Sequence, residues 1–134
     1  TPDAIKKILV SIKKHFPGKK IITLFGCGGD RSYEKRELMG KIAGQYSDKI
    51  FIANDNPRSE DPKKIAEQIV KGINKKSNFK VLLDRRKAII ECVSSKNIDK
   101  IVLILGKGHE KKQIIKGNTI DFSDEQEVLR AFKL

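Results

Sequence analysis

The 134-residue chain reads as an α/β protein, a Rossmann-like three-layer domain with a mostly parallel sheet and an antiparallel C-terminal hairpin. Three observations predict this. Short β-branched apolar runs alternate with stretches whose apolar residues recur at helical spacing. The helical stretches open on capping residues or proline. Three of the apolar runs empty into loops rich in glycine, charge or proline, at the strand ends where open parallel sheets bind ligands. The chain is expected to be one domain, residues 1–134, long enough to bury most of its apolar surface without a covalent staple.

Thr1 caps a first helix over residues 2–15, with Pro2 in its first turn and Ile5, Ile8, Leu9, Ile12 and Phe16 at helical spacing. Pro17-Gly18 ends it, and residues 21–25 form a buried strand that discharges into Gly26-Cys27-Gly28-Gly29-Asp30-Arg31. A second helix, residues 35–46, carries Leu38, Met39, Ile42, Ala43 and Tyr46 on one face. The next strand, residues 50–53, ends in Asn54-Asp55-Asn56-Pro57-Arg58, where Pro57 restricts Asn56 to extended conformations and stiffens the loop. Asp61 caps a third helix with Ile65, Ile69, Val70 and Ile73 inward, stopping near Gly72.

Residues 79–83 make a third strand, and Asp84 caps a fourth helix with Ala88, Ile89, Cys92 and Val93 facing the core. The run over residues 100–105 is the most apolar and reads as the middle strand of the sheet. It ends in Gly106-Lys107-Gly108-His109-Glu110. Residues 113–115 and 119–121 suggest a hairpin that adds an antiparallel edge to the sheet. Ser123 and Gln126 form a capping box for a last helix, with Val128, Leu129 and Phe132 as its buried stripe.

Composition narrows the function classes. The net charge of +12 invites a nucleic-acid partner. The lysines, however, come as dispersed pairs, and aromatics make up only 6% of the chain, so the stacking platforms of single-strand binders are lacking. Cys27 and Cys92 stand apart without CxxC or His spacing, which speaks against a zinc site and a secreted disulfide scaffold. No metal site is expected. No amino-terminal signal is evident, and no apolar run approaches the roughly 20 residues of a membrane helix. A cytoplasmic monomer engaging neither nucleic acid nor membrane is the expectation. The opening Thr1-Pro2-Asp3, directly on a helix cap, suggests an excised carboxyl-terminal domain of a longer protein.

The three loops carry the candidate chemistry. On a parallel sheet they share one edge and bring together two guanidiniums, Arg31 and Arg58, and two carboxylates, Asp55 and Glu110. Arginine recognises carboxylate or phosphate in bidentate fashion, and acids accept from an ammonium. A small ligand with carboxylates and amines at both ends would match. The bland alternative is that these residues pair with one another or cap helices. Gly26-x-Gly28-x-x-Arg31 lacks the third glycine of the dinucleotide fingerprint, so a free-standing nucleotide-binding module is the alternative function. A Cys27–His109 thiol dyad lacks an orienting third group.

Residues 25–31, with Lys35-Arg36 and Leu38-Met39-Gly40, then Asp55-Asn56-Pro57-Arg58-Ser59-Glu60-Asp61-Pro62, then Gly106-Lys107-Gly108-His109-Glu110, resemble the carboxyl-terminal domain of the Mur ligase family. The match is to its diaminopimelate-adding branch and covers essentially the whole chain. The resemblance implies a domain that closes over a central ATPase domain and delivers an amino acid. The amine of that amino acid attacks an acyl phosphate made from a UDP-N-acetylmuramoyl dipeptide and ATP in peptidoglycan synthesis.

It further implies that Arg31, Asp55, Asn56, Pro57, Arg58, Gly106 and Glu110 form the pocket for meso-2,6-diaminopimelate. Arg58 and Asn56 would hold its distal head, and Glu110 with the carbonyl of Gly106 would take its ammonium. Lys107 and His109 are candidate nucleotide-side contacts. ATP and Mg2+ would be bound mainly by the central domain, whose phosphate loop and carbamylated lysine this chain lacks. The chain alone is therefore expected to hold no catalytic residue and to be inactive.

Overall fold

The computed structural model describes residues 1–94 and 99–133. In chain order it contains α1 (Pro2–His15), β1 (Lys20–Phe25), α2 (Tyr33–Tyr46), β2 (Lys49–Ile52), α3 (Pro62–Gly72), β3 (Phe79–Val81), α4 (Arg85–Ser94), β4 (Lys100–Ile104), β5 (Lys112–Ile115), β6 (Asn118–Asp121) and α5 (Asp124–Phe132). The capping signals act as their chemistry demands. Thr1 accepts from the Ala4 amide, Asp61 from Lys63, Asp84 from Lys87 and Ser123 from Gln126.

Four strands form a parallel sheet in the order β3-β2-β1-β4. Residue alternation along each strand feeds two cores, one on each face. Ile21 and Phe25 of β1 and Ile50 and Ile52 of β2 pack with Ile5, Leu9, Ile42, Ala43, Ile65 and Ile69 from α1, α2 and α3. Leu24 and Phe51, with Ala53 just beyond β2, face Ala88, Ile89 and Cys92 of α4, with Val128 of α5 packed alongside. Helices on both faces of a parallel sheet make the three layers.

Three expectations need correction. The residue 100–105 run is not the middle of the sheet: β4 pairs only with β1 and is an edge among the described strands. It is apolar because both of its faces are covered, Leu103 and Leu105 toward one core and Val102 and Ile104 toward the other. An apolar run reports cover on two faces, not neighbours on two edges.

The hairpin of β5 and β6 forms its own two-stranded sheet and does not extend the main one. It lies against the loop after β2, joined to it by a bridge between Arg58 and Ile115. The stripe of α5 also differs. Leu129 and Phe132 are exposed, the latter 71%, and Asp124, Glu127 and Ala131 are buried with Val128 partly so. That stripe carries acids because Arg85 and Arg86 of α4 stand opposite and need counter-charges. Ile8, Phe16 and Leu38 are likewise exposed.

Candidate functional site: three loops at the carboxyl edge of the sheet

Strand register decides where the loops emerge. Phe25 pairs with Ile52 and Leu24 with Ile104, so β1, β2 and β4 end level with one another. Their loops, residues 26–31, 53–61 and 105–111, therefore leave together. The first two touch backbone to backbone: the Gly29 amide donates to the Asn56 carbonyl at 2.7 Å. A Cβ on Gly29 would lie 1.7 Å from the Pro57 carbonyl oxygen, and one on Gly26 would lie 2.0 Å from that of Ala53. These glycines permit close loop packing, which accounts for the glycine-rich sequence without a phosphate.

An acid face surrounds Lys107. Gly106 and Gly108 both adopt positive φ, and the Glu110 amide closes the turn onto the Lys107 carbonyl at 2.9 Å. The turn sends the Lys107 side chain inward, leaving the residue 2% exposed. Its ammonium donates to Asn56 Oδ1 at 2.8 Å and lies 3.4 Å from Glu110 Oε2 and 3.5 Å from Asp55 Oδ1. Asn56 is engaged at both ends of its amide, since Oδ1 also accepts from the Ile114 amide and Nδ2 donates to Glu110 at 3.3 Å. Burial holds the Asp55 carboxyl above the usual carboxylate range, against the opposing pull of Arg85 and Lys107.

The hairpin straps this loop down. Gln113 donates to the carbonyls of Asn54 and Asp55, and the Arg58 and Lys116 amides exchange bonds with the Ile114 and Arg58 carbonyls.

A basic face stands beside the acid one. Arg58, itself at φ 55, donates from Nη1 to the Gly29 carbonyl at 3.1 Å and to its own loop at Asn56 O. A Cβ on Gly28 would meet Arg58 Nη1 at 2.8 Å and Arg31 Cγ at 3.7 Å, so the two guanidinium side chains flank one glycine. Arg31, Lys35, Asp55 and Gly106, with Gly26 and Gly28, line a cleft of about 630 Å3, and Asn56, Arg58 and Glu110 stand outside that lining. Arg31 is exposed and the Glu110 side chain half-exposed, so both remain open to a ligand. Cys27 is buried, bonds the Met39 sulfur at 3.7 Å and has its thiol pushed up to about 12 by burial, which makes it a poor nucleophile. His109 is exposed on the outer side of its turn.

Two buried arginines frame the cluster, Arg36, which the sequence offers only as part of the resemblance, and Arg85, to which it gives no role. Arg36 of α2 forms a two-pronged pair with Glu60 at 2.7 and 2.9 Å and also donates to Gln68 and the Gly28 carbonyl. Arg85 of α4 forms the same kind of pair with Asp124 at 2.7 Å and caps the carbonyls of Asn54 and Leu105. A signal for both was available. Each sits one helical turn ahead of an inward stripe, Arg36 before Gly40 and Ala43, Arg85 before Ala88, Ile89 and Cys92. Among the described residues no three His, Cys, Asp or Glu side chains stand together as a metal-ligand set, and no helix is long and apolar enough to cross a membrane.

Comparison with known proteins converges on one family. Residues 1–108 match the family described as Mur ligase, glutamate ligase domain. The chain is 52% identical over 126 residues to the UDP-N-acetylmuramoyl-L-alanyl-D-glutamate–2,6-diaminopimelate ligase of Prochlorococcus marinus subsp. pastoris, covering 94% of this chain and 24% of the relative. It is 47% identical to the ligase of the same name from Buchnera aphidicola subsp. Schizaphis graminum, covering 97% of this chain and 26% of that one.

A solved structure of a ligase bearing that name superposes with a TM-score of 0.92 at 37% identity, over 99% of this chain and 27% of that one. The chain spans about a quarter of the length of the curated relatives it matches. On its sequence and on that superposition, the chain belongs to the Mur ligase family.

Proposed function

We propose that residues 1–134 form the carboxyl-terminal, amino-acid-binding domain of an ATP-dependent ligase that adds meso-2,6-diaminopimelate to UDP-N-acetylmuramoyl-L-Ala-D-Glu in peptidoglycan synthesis. The observation that carries this reading is the juxtaposition of Arg31 and Arg58 with Asp55 and Glu110 at one sheet edge, beside an open cleft. A doubly zwitterionic amino acid asks for that combination. Arg58 and Arg31 suit its carboxylates, and Glu110 and Asp55 with the Gly106 carbonyl suit an ammonium. Asn56 acts by fixing Glu110 and Lys107, and Pro57 by stiffening the loop that bears Arg58.

In this reading the domain binds and orients the amino acid so that its free amine meets the activated acyl group held elsewhere in the ligase. Arg58 supplies preference for diaminopimelate over lysine, which lacks the second carboxylate. In this reading ATP and Mg2+ are held mainly by the rest of the enzyme. Lys107 donates its ammonium inward, so of the two candidate nucleotide-side contacts the exposed His109 is the one left for that role. The nucleotide-linked substrate and small amino acid in the relatives' names support a cytoplasmic enzyme.

In the full-length ligase, Arg58→Ala should raise KM for diaminopimelate at least tenfold, because removing one partner of a desolvated charge pair costs about 2–5 kcal/mol. KM for ATP should stay put. A normal KM for diaminopimelate in that variant would overturn the assignment.

A further inference from the structure

The acid face contains a cation of its own. Lys107 is placed inward by two glycines at positive φ, it is buried, and its ammonium touches three groups from two loops: Asn56 Oδ1 at 2.8 Å, Glu110 Oε2 at 3.4 Å and Asp55 Oδ1 at 3.5 Å. Two carboxylates facing one another without a cation would repel, and Asp55 is already desolvated. With Lys107 in place, Asp55, Glu110 and Lys107 together sum to one negative charge. The nearby Arg85 is matched by Asp124 and Arg36 by Glu60.

We propose that Lys107 is a positioning residue of the amino-acid pocket: its buried ammonium holds Asp55, Asn56 and Glu110 in one arrangement and leaves the acid face with a single uncompensated negative charge, suited to one ligand ammonium. This rests on the reading of the site as an amino-acid pocket and adds a residue to it. Lys107 does not touch the ligand; it acts through Glu110 and Asp55. Removing it frees Glu110 from its partner in the turn and leaves Asn56 Oδ1 with only the Ile114 amide.

A pH signature separates this role from general support. The charged and titratable groups acting on Asp55 are Arg85 from α4, Lys107 and Glu110 from the loop after β4, and Cys27, a neutral thiol, from the loop after β1. Asp30 and Arg31 of that loop, with Lys35 and Arg36 of α2, line the same cleft. Burial and Glu110 raise the Asp55 carboxyl, and Arg85 and Lys107 lower it. Loss of Lys107 therefore moves it further up, and the pocket should lose its ionised acid at a higher pH than before.

The experiment compares wild type, Lys107→Met and Lys107→Arg in the full-length ligase. Lys107→Met should raise KM for diaminopimelate at least tenfold, leave KM for ATP and for the UDP-linked dipeptide within twofold, and shift the acid limb of kcat/KM for diaminopimelate to higher pH. Lys107→Arg, which keeps the charge, should leave that limb at its wild-type position. If Lys107→Met does not fold, Lys107→Gln, which keeps a donor for Asn56 but no charge, gives the same readouts. An unchanged KM for diaminopimelate, or a rise common to all three substrates with an unmoved acid limb, overturns the proposal. A wild-type enzyme that does not use diaminopimelate would instead sink the substrate assignment. An Arg58→Ala defect without a Lys107→Met defect sinks only the role of Lys107.

Discussion

Arg36 and Arg85 hold the two sides of the loop cluster by the same chemistry in different surroundings. Each is buried, and each grips a carboxylate with two nitrogens while reaching a loop carbonyl with what remains. Arg85 lies between α4, α5 and the ends of β2 and β4, and its partner Asp124 is buried with it. Arg36 joins α2 and α3 to the two loops that carry Arg31 and Arg58, its Nε has no partner, and the Glu60 side chain is 28% exposed. The dry pair acts as framework. The wetter one holds the recognition loops with a carboxylate that water and protons can reach.

The comparison can be broken first at its dry end. Asp124→Ala would strand the Arg85 guanidinium, at a cost of about 3–5 kcal/mol, which chemical denaturation at neutral pH would measure. A loss no larger than that of an exposed pair would mean that the two clamps do not differ. Glu60→Gln should cost less, about 1.5–3 kcal/mol at pH 7, as expected for weakening charge-assisted hydrogen bonds.

Its pH dependence sharpens the contrast. Hydrogen bonding to Arg36 holds the Glu60 carboxyl below its ordinary value. The stabilisation is therefore present above the unfolded glutamate pKa of about 4.3 and is lost as pH falls through the lower folded value. Denaturation midpoints measured from pH 6 down to pH 2.5 should fall less steeply in Glu60→Gln than in wild type. The smallest effect is expected at Lys80, whose pair with Glu91 is exposed on both sides. Lys80→Ala should change stability by less than about 0.5 kcal/mol.

The alternation of strands and helices, the caps at Thr1, Asp61, Asp84 and Ser123, and the gathering of three loops at one edge were legible in the sequence, because each rests on local pattern or on the geometry of parallel sheets. What escaped was pairwise. Arg36 and Arg85 carry no assigned role in the sequence and Lys107 reads as a candidate nucleotide-side contact, because charge is normally exposed and only the distant partners Glu60, Asp124 and Asn56 turn these side chains inward. The α5 stripe failed for the same reason: with Arg85 and Arg86 opposite, Asp124 and Glu127 take the inner positions expected of Leu129 and Phe132. The hairpin is recognisable as a hairpin, but its docking on the loop after β2 rests on backbone bonds with Arg58 and on Gln113, whose amide donates to the carbonyls of Asn54 and Asp55.

The main-chain contact between Gly29 and Pro57 has a further consequence. The Gly29 amide and the Asn56 carbonyl join the two loops peptide to peptide, so one brace of the cleft's frame belongs to the backbone, while Arg36 and Arg58 add side-chain braces to it. An engineer wishing to redirect this domain to another amino acid would leave residues 26, 29 and 57 untouched and, in exchanging the side chain at 58, would have to replace the donor that it offers to the Gly29 carbonyl.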